Sequence, residues 1–339
     1  MVKKIRAFGL VSGGLDSILA LLVLQEQGIK VTGLAFETPF FSADRAQKAM
    51  AEISAPLRVM DITDDHLAML KEPRYGYGRN MNPCIDCHAL MLKQAGIIME
   101  EEGYDFLFTG EVLGQRPMSQ TGSSLRLVSK LSGYDGYVLR PLSARLLPAT
   151  IPEEEGKVDR ERLLDIQGRN RKRQMAMAEK YMISSYSTPA GGCLLTDPGF
   201  SERLRDLFDA PRWWEVRDIE LLKVGRHLRL SPDVKIVVGR NKRENEIIRE
   251  LARPEDVLVN IKNIPGPLVL VPGGGDHESL KMASLVCASY SDAPVEEDVE
   301  VSLMTEERTS IIVTRSMERE RLKSLMIGGR SRPKKNRHR

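Results

Sequence analysis

Ser12-Gly13-Gly14-Leu15-Asp16-Ser17 is the segment that most narrows what this chain can become. It follows an apolar run, Ile5–Val11, that reads as a buried strand. It opens Asp16–Gln27, where Ile18, Leu19, Leu21, Leu22 and Leu24 read as a helix stopped by Gly28. Two glycines allow a tight turn and a close backbone approach to a ligand. The following helix aims free N–H groups and the positive end of its dipole at the same place. Ser12 and Ser17 add hydroxyl donors, so the three pieces together make a phosphate cradle. No Gly-Lys-Ser/Thr follows at Walker A spacing, and no Gly-x-Gly-x-x-Gly marks a dinucleotide fold.

The alternation continues. Val31–Phe36, Leu57–Ile62 and Phe106–Thr109 read as strands, and Ala43–Ile53, Asp65–Leu70 and Cys87–Glu102 as helices. This order predicts an α/β fold, a parallel sheet flanked by helices on both faces. Pro141, Pro148 and Pro152 then punctuate a loop-rich stretch. Arg160–Ile183 reads as one or two helices broken at Gly168. The cluster Arg169, Arg171, Lys172 and Arg173 within it reads as a solvated helix face in preference to an RNA contact. Near residue 200 the pattern changes to short strands (Leu228–Leu230, Lys235–Val238, Val257–Ile261, Leu268–Val271, Val299–Ser302, Ser310–Thr314) among helices at Phe200–Phe208, Glu244–Leu251 and Glu278–Tyr290. That predicts a smaller C-terminal α+β domain. The expected division is 1–195, 200–320 and a basic tail at 321–339.

A chain of 339 residues suits two or three domains. No run of eighteen apolar residues exists to span a membrane, and the N-terminus does not read as an export signal, so the cytoplasm is the expected compartment. The net charge is +3, but the last ten residues carry six Lys/Arg and no acid, and without them it becomes −3. A near-neutral body with such a tail reads as a phosphate-seeking arm, with a mere solubility tail as the alternative.

Four cysteines in a cytosolic chain of this size do not suggest a disulfide framework. Cys287 sits in the apolar helix and reads as core. Cys84 and Cys87, in Asn82-Pro-Cys-Ile-Asp-Cys-His88, lie at or just before a helix N-terminus, where thiolates are stabilised. Cys193 follows a Gly-rich stretch starting at Thr188. Four readings compete: the c-type haem string Cys-x-x-Cys-His, a zinc site completed by His88 or Cys193, a persulfide-carrying redox pair with Cys193, and an iron–sulfur cluster on three thiolates.

The Ser12–Ser17 segment resembles the PP-loop of the ATP pyrophosphatase superfamily, an adenine nucleotide alpha-hydrolase-like fold. The resemblance implies that ATP is cleaved to AMP and pyrophosphate, with Asp16 near the phosphates and Mg²⁺. ATP contacts are then expected at Val11, Ser12, Gly13, Gly14, Leu15, Asp16, Ser17, Phe36 and Gly110, with adenine near Ala35 and Phe36. Asn-Pro-Cys-x-x-Cys with a distant third cysteine resembles the tRNA 2-thiouridine synthases. Gly110-Glu-Val-Leu-Gly-Gln115 resembles the Gly-Glu-x-Leu-Gly-Gln segment of the tRNA 4-thiouridine synthases. The resemblance covers about residues 5–200. It implies Asp16, Cys84, Cys87 and Cys193 as catalytic residues and the three cysteines as ligands of a [4Fe–4S] cluster, preferred here to zinc or to persulfide chemistry without metal.

Residues 200–315 resemble the RNA-binding domain of NFACT proteins, and, read from the residues themselves, Arg226, His227, Arg229, Arg240, Lys242 and Arg243 are expected to form a patch that contacts RNA phosphates. Solvated loop charges are the alternative reading of that patch. The function expected from all this is a tRNA or RNA sulfurtransferase making thiouridine. Its partners would be a structured RNA, a sulfide or persulfide donor and, as an open option, a second copy in a homodimer. Two alternatives stand: a non-catalytic RNA- or ribosome-binding protein with a nucleotide-binding domain, and a small-molecule PP-loop ligase or amidase.

Overall fold

Within residues 1–196, strands β1 (Arg6–Leu10), β2 (Lys30–Glu37), β3 (Leu57–Asp61), β4 (Phe106–Thr109) and β5 (Val138–Leu139) form one sheet in the computed structural model, in the order β3-β2-β1-β4-β5. Every neighbouring pair is parallel, with Gly9 of β1 beside Gly33 of β2 and Leu10 beside Thr109 of β4. The structure describes residues 4–183, 186, 193–210, 213–295 and 297–328.

The helices of this unit are α1 (Leu15–Glu26), α2 (Asp44–Glu52), α3 (Thr63–Lys71), α4 (Cys84–Glu102), α5 (Gly122–Ser132), α6 (Ile151–Glu154) and α7 (Lys172–Lys180). Successive side chains of a strand point to opposite faces, and the core follows that alternation. Phe106 and Phe108 pack with Leu19, Leu21 and Leu24 of α1 and with Ala46 and Met50 of α2. Leu107, between them, packs with Leu92, Ile98 and Met99 of α4 and Val128 of α5. From β1 the chain runs outward through β2 to β3, then returns to place β4 and β5 on the other side of β1. The reversal falls between β1 and β4, where open α/β sheets form their ligand crevice beyond the strands' carboxyl ends.

Residues 197–339 form a second compact unit. Its strands are β6 (Arg226–Arg229), β7 (Lys235–Val238), β8 (Val257–Ile261), β9 (Leu268–Val271), β10 (Asp298–Met304) and β11 (Thr309–Arg315), in the order β11-β10-β8-β9-β7-β6. All neighbours are antiparallel. The helices are α8 (Pro198–Phe208), α9 (Val216–Leu221), α10 (Lys242–Glu250) and α11 (His277–Tyr290). Val269 and Val271 face α11 through Ala283, Val286 and Cys287. Leu268 and Leu270 face the other way, onto Leu221 of α9 and Ile248 of α10.

The parallel sheet and the separate α+β unit match the fold expected from the sequence. Local details differ. Helix α4 begins at Cys84, one turn earlier than the pattern suggests. Only Lys172–Lys180 of the 160–183 stretch is α-helical, because Gly168 turns at φ +79° and Asn170 Oδ1 accepts from Lys172 N just before the helix. Leu322, in a 3-10 turn at Arg319–Leu325, is buried in the second core, so residues 321–328 belong to the folded unit and not to a tail. The basic run from Arg330 onward lies outside the described residues. Among the described residues no helix is long and apolar enough to cross a membrane.

Candidate active site

A cavity of about 590 Å³ opens at the strand-order reversal, within the size range of small-molecule sites. Leu10 and Val11 from the end of β1, Leu34, Ala35 and Phe36 from β2, and Thr109 and Gly110 after β4 line it. Ser12, Gly14, Leu15, Asp16 and Ser17 line it too, and so do Cys84, Cys87 and Cys193. The expected phosphate loop, the expected adenine position and all three thiols therefore meet in one space. Gly13 is the one loop residue outside the lining. It turns at φ +70°, and a Cβ there would stand 2.4 Å from the Arg45 backbone, so it fixes the loop against the start of α2.

Gly14 caps α1 with an extended backbone, and the Ser17 hydroxyl donates to Gly14 O at 2.8 Å. Gly110 lies hard against this turn, since a Cβ there would come within 2.4 Å of Ser17 N. Asp16 is held through one oxygen: Gln115 Nε2 donates to Oδ2 at 3.0 Å. Its Oδ1 is buried and, among the described residues, has no hydrogen-bond partner. A carboxylate oxygen left in that state beside a cluster of N–H and O–H donors suits a cation accompanying a triphosphate.

Cys84 and Cys87 stand in the first turn of α4, three residues apart and so on one face. Asn82 Nδ2 donates to Cys84 Sγ at 3.2 Å, and Cys87 Sγ lies 3.5 Å from His66 Nε2. Cys193 is drawn in by its neighbours: Leu194 N donates to Phe40 O at 3.0 Å, and Asn80 Nδ2 to Thr196 O at 2.6 Å. The Gly-rich stretch before it lies outside the described residues.

The helix N-terminus does not make Cys87 an acidic thiol here. Burial pushes it up, and Cys193, Cys84 and Asp86 add to the effect. Burial likewise pushes Cys193 up to about 11, although the Leu195 backbone and Arg116 oppose it. Burial also lowers His66 to about 4, so Cys87 and His66 form a neutral thiol–imidazole pair at neutral pH. Desolvation thus outweighs the stabilisation expected from the helix dipole. Among the described residues no three His, Cys, Asp or Glu side chains are grouped to hold a single metal ion.

A polar chain braces the same wall. His88, the residue after Cys87, places Nδ1 2.9 Å from Glu111 Oε1. Glu111 Oε2 accepts from Arg140 Nε at 3.0 Å and from Thr109 Oγ1 at 3.1 Å. Burial pushes Glu111 up, but the Arg140 charge and the His88 contact outweigh it and hold the carboxyl at about 2. A charged carboxylate only accepts, so His88 Nδ1 carries the proton and Nε2 is left for the cavity that His88 lines. Glu111 and Gln115 stood in the quoted Gly-Glu-x-Leu-Gly-Gln segment; no signal in the sequence pointed to Arg140 or His66.

In the second unit the expected RNA contacts divide. Arg229 forms a two-pronged pair with Asp206, at 2.9 and 2.6 Å, and Arg240 pairs with Glu244 of α10. Arg226 lies 4.9 Å over the Tyr290 ring, and His227 is buried with Nε2 against Val224 O. His227 is therefore part of the core, not of a cationic patch. Lys242 and Arg243 are exposed and, among the described residues, have no ion-pair partner. Cys287 is buried under β8 and β9, as its apolar helix suggests.

Comparison with known proteins follows this division. Residues 3–145 match the family model described as thiamine biosynthesis protein (ThiI), and residues 225–326 the one described as NFACT protein RNA binding domain. Among solved structures, the chain is similar to a predicted subunit of a tRNA methyltransferase from Methanocaldococcus jannaschii (16% identity, TM-score 0.31, over 41% of this chain and 67% of that one). It is also similar to a 4-thiouridine synthetase solved with RNA and bound ATP (27% identity, TM-score 0.32, over 40% of this chain and 36% of that one). A third is NMN synthetase from Francisella tularensis (12% identity, TM-score 0.29, over 55% of this chain and 90% of that one). The chain thus carries, one after the other, a region that matches the ThiI model and a region that matches the NFACT RNA-binding-domain model.

Proposed function

We propose that this chain is an ATP-dependent RNA sulfurtransferase that activates a uridine carbonyl and replaces its oxygen with sulfur. One observation carries the reading: a single cavity is lined by the Ser12–Ser17 loop and by Cys84, Cys87 and Cys193. The ThiI and NFACT family matches support it from the sequence side.

The chemistry follows from what must be exchanged. A carbonyl oxygen is a poor leaving group. Attack of that oxygen on the α-phosphorus of ATP forms a C–O–P bond, breaks the bond to pyrophosphate and releases the uracil N3 proton. A sulfur nucleophile then adds at the same carbon, and the oxygen departs within AMP. Ser12, Ser17 and the α1 N-terminus would hold the phosphates, and Asp16, whose Oδ1 has no hydrogen-bond partner among the described residues, would hold the Mg²⁺ that enters with ATP. Gln115 fixes the Asp16 carboxylate, and Glu111 fixes the ring of His88.

Among the described residues no three His, Cys, Asp or Glu side chains are grouped to hold one ion, and a set of three thiols is the donor set of a [4Fe–4S] cluster with one iron left open. When bound, such a cluster would supply an iron with an open position for the incoming sulfide. Cys84, Cys87 and Cys193 would hold it.

The test is anaerobic incubation of the full chain with ATP, Mg²⁺, sulfide and unmodified tRNA transcript. Pyrophosphate release and a thionucleoside in the digested RNA are expected. Thionucleoside levels unchanged in a strain lacking the protein, with no RNA-stimulated pyrophosphate release in vitro, would sink the proposal.

A further inference from the structure

We infer that Arg169, Arg171 and Lys172 form a basic strip that leads the phosphodiester chain of an RNA to the mouth of the cavity, with Arg171 as the innermost contact. This rests on the reading of the cavity as an RNA-modifying site. None of the three falls within the ThiI or the NFACT match.

The strip is defined by which charges around it are already neutralised. Arg173 pairs with Asp165 at 2.7 Å, and Arg145 reaches the same carboxylate at 3.3 Å. Lys180 pairs with Glu26 at 2.9 Å, and Arg162 donates to Glu26 O. Arg169 and Lys172 are exposed and, among the described residues, have no ion-pair partner. Arg171, between them, turns inward and lines the cavity. Its Nε is buried and, among the described residues, without a hydrogen-bond partner. A guanidinium donor withdrawn from water and left unpaired is costly, and an anion is the partner that removes the cost.

Phosphate is the anion that both substrates would bring here. The RNA backbone fits better than the triphosphate for two reasons. Ser12, Ser17 and the α1 N-terminus already supply the triphosphate with donors. And the unpaired charge does not end in the cavity: it continues outward through Arg169 and Lys172, as a chain of successive phosphates requires. Arg116, exposed, also lines the cavity and adds a further guanidinium to it.

The full chain is titrated with fluorescein-labelled, unmodified tRNA transcript at several salt concentrations, and separately with a fluorescent ATP analogue. Arg169→Ala with Lys172→Ala changes two exposed side chains, so folding is not at issue. This double variant is expected to weaken RNA binding several-fold and to reduce the slope of log K against log salt by about one to two, with ATP affinity unchanged. Arg171→Ala is expected to do the same, and Arg171→Lys to restore most of the slope. If Arg171→Ala weakens ATP and leaves RNA binding alone, its phosphate belongs to the nucleotide and the inference is overturned. Unchanged RNA affinity and slope in both variants overturns it as well. These readings need no turnover, so a strip that binds RNA in a chain that makes no thionucleoside would sink the proposed reaction and spare the strip.

Discussion

Gln115 donates a hydrogen bond from Nε2 to Asp16 Oδ2 at 3.0 Å, across 99 positions of sequence. It joins the loop after β4 to the first turn of α1, at the point where the strand order reverses. One Asp16 oxygen is thereby anchored, and the other is buried without a hydrogen-bond partner among the described residues. Gln115→Leu should therefore raise the KM for ATP about tenfold while the melting temperature stays close to that of the parent. Asp16→Asn should abolish pyrophosphate release. A Gln115→Leu protein with unaltered ATP kinetics would show that the contact does not orient Asp16.

Gly110 has no room for a side chain. A Cβ there would press on Ser17 N at 2.4 Å, a backbone atom that cannot swing aside. Gly110→Ala is expected to cost about 1–3 kcal/mol by overpacking and to displace the start of α1. ATP binding should fall further than stability does, which calorimetry on the folded variant would read.

Glu111 links stability to pH. Its folded value of about 2 lies below the ordinary 4.5, so its stabilising contribution is complete above about 4.5. It is lost as the pH falls from there through about 2, and it amounts to about 3 kcal/mol. Glu111→Gln removes the contribution and leaves Arg140 buried without its counter-charge, at an expected cost of about 3–5 kcal/mol at pH 7. Urea melts at pH 7 and pH 3 should show the gap between parent and variant narrowing at pH 3. A gap that does not narrow would mean Glu111 is not held as an anion.

Cys84→Ser, Cys87→Ser and Cys193→Ser should each abolish thionucleoside formation and leave ATP affinity within about twofold. Protein purified without oxygen should carry about four irons and four sulfides per chain, and each variant substantially less. Full activity in a protein free of iron would exclude the cluster and favour a persulfide.

Lys242→Ala with Arg243→Ala should lower the salt slope of RNA binding by about one to two without changing the melting temperature. Arg229→Ala should instead cost about 1 kcal/mol of stability, because it breaks the pair with Asp206. The reverse pattern would show that Arg229 leaves Asp206 to reach a phosphate.

The parallel sheet and the smaller α+β unit were legible in the sequence, because local periodicity carries both, and the Ser12–Ser17 turn was legible as a candidate phosphate cradle from its glycines. The sequence also carried Cys84, Cys87 and Cys193 as candidates, since short motifs survive in one dimension. The tertiary contacts alone reveal that the three thiols share a cavity with Asp16, that burial above all pushes the Cys87 and Cys193 thiols up, and that Arg140 holds the Glu111 that holds His88. They also separate the paired Arg229 and Arg240 from the exposed Lys242 and Arg243, and turn Arg171 inward from what reads as a solvated face. The physical reason is common to all of these. Desolvation and charge pairing depend on neighbours brought from distant parts of the chain, and no local pattern records which neighbours those will be.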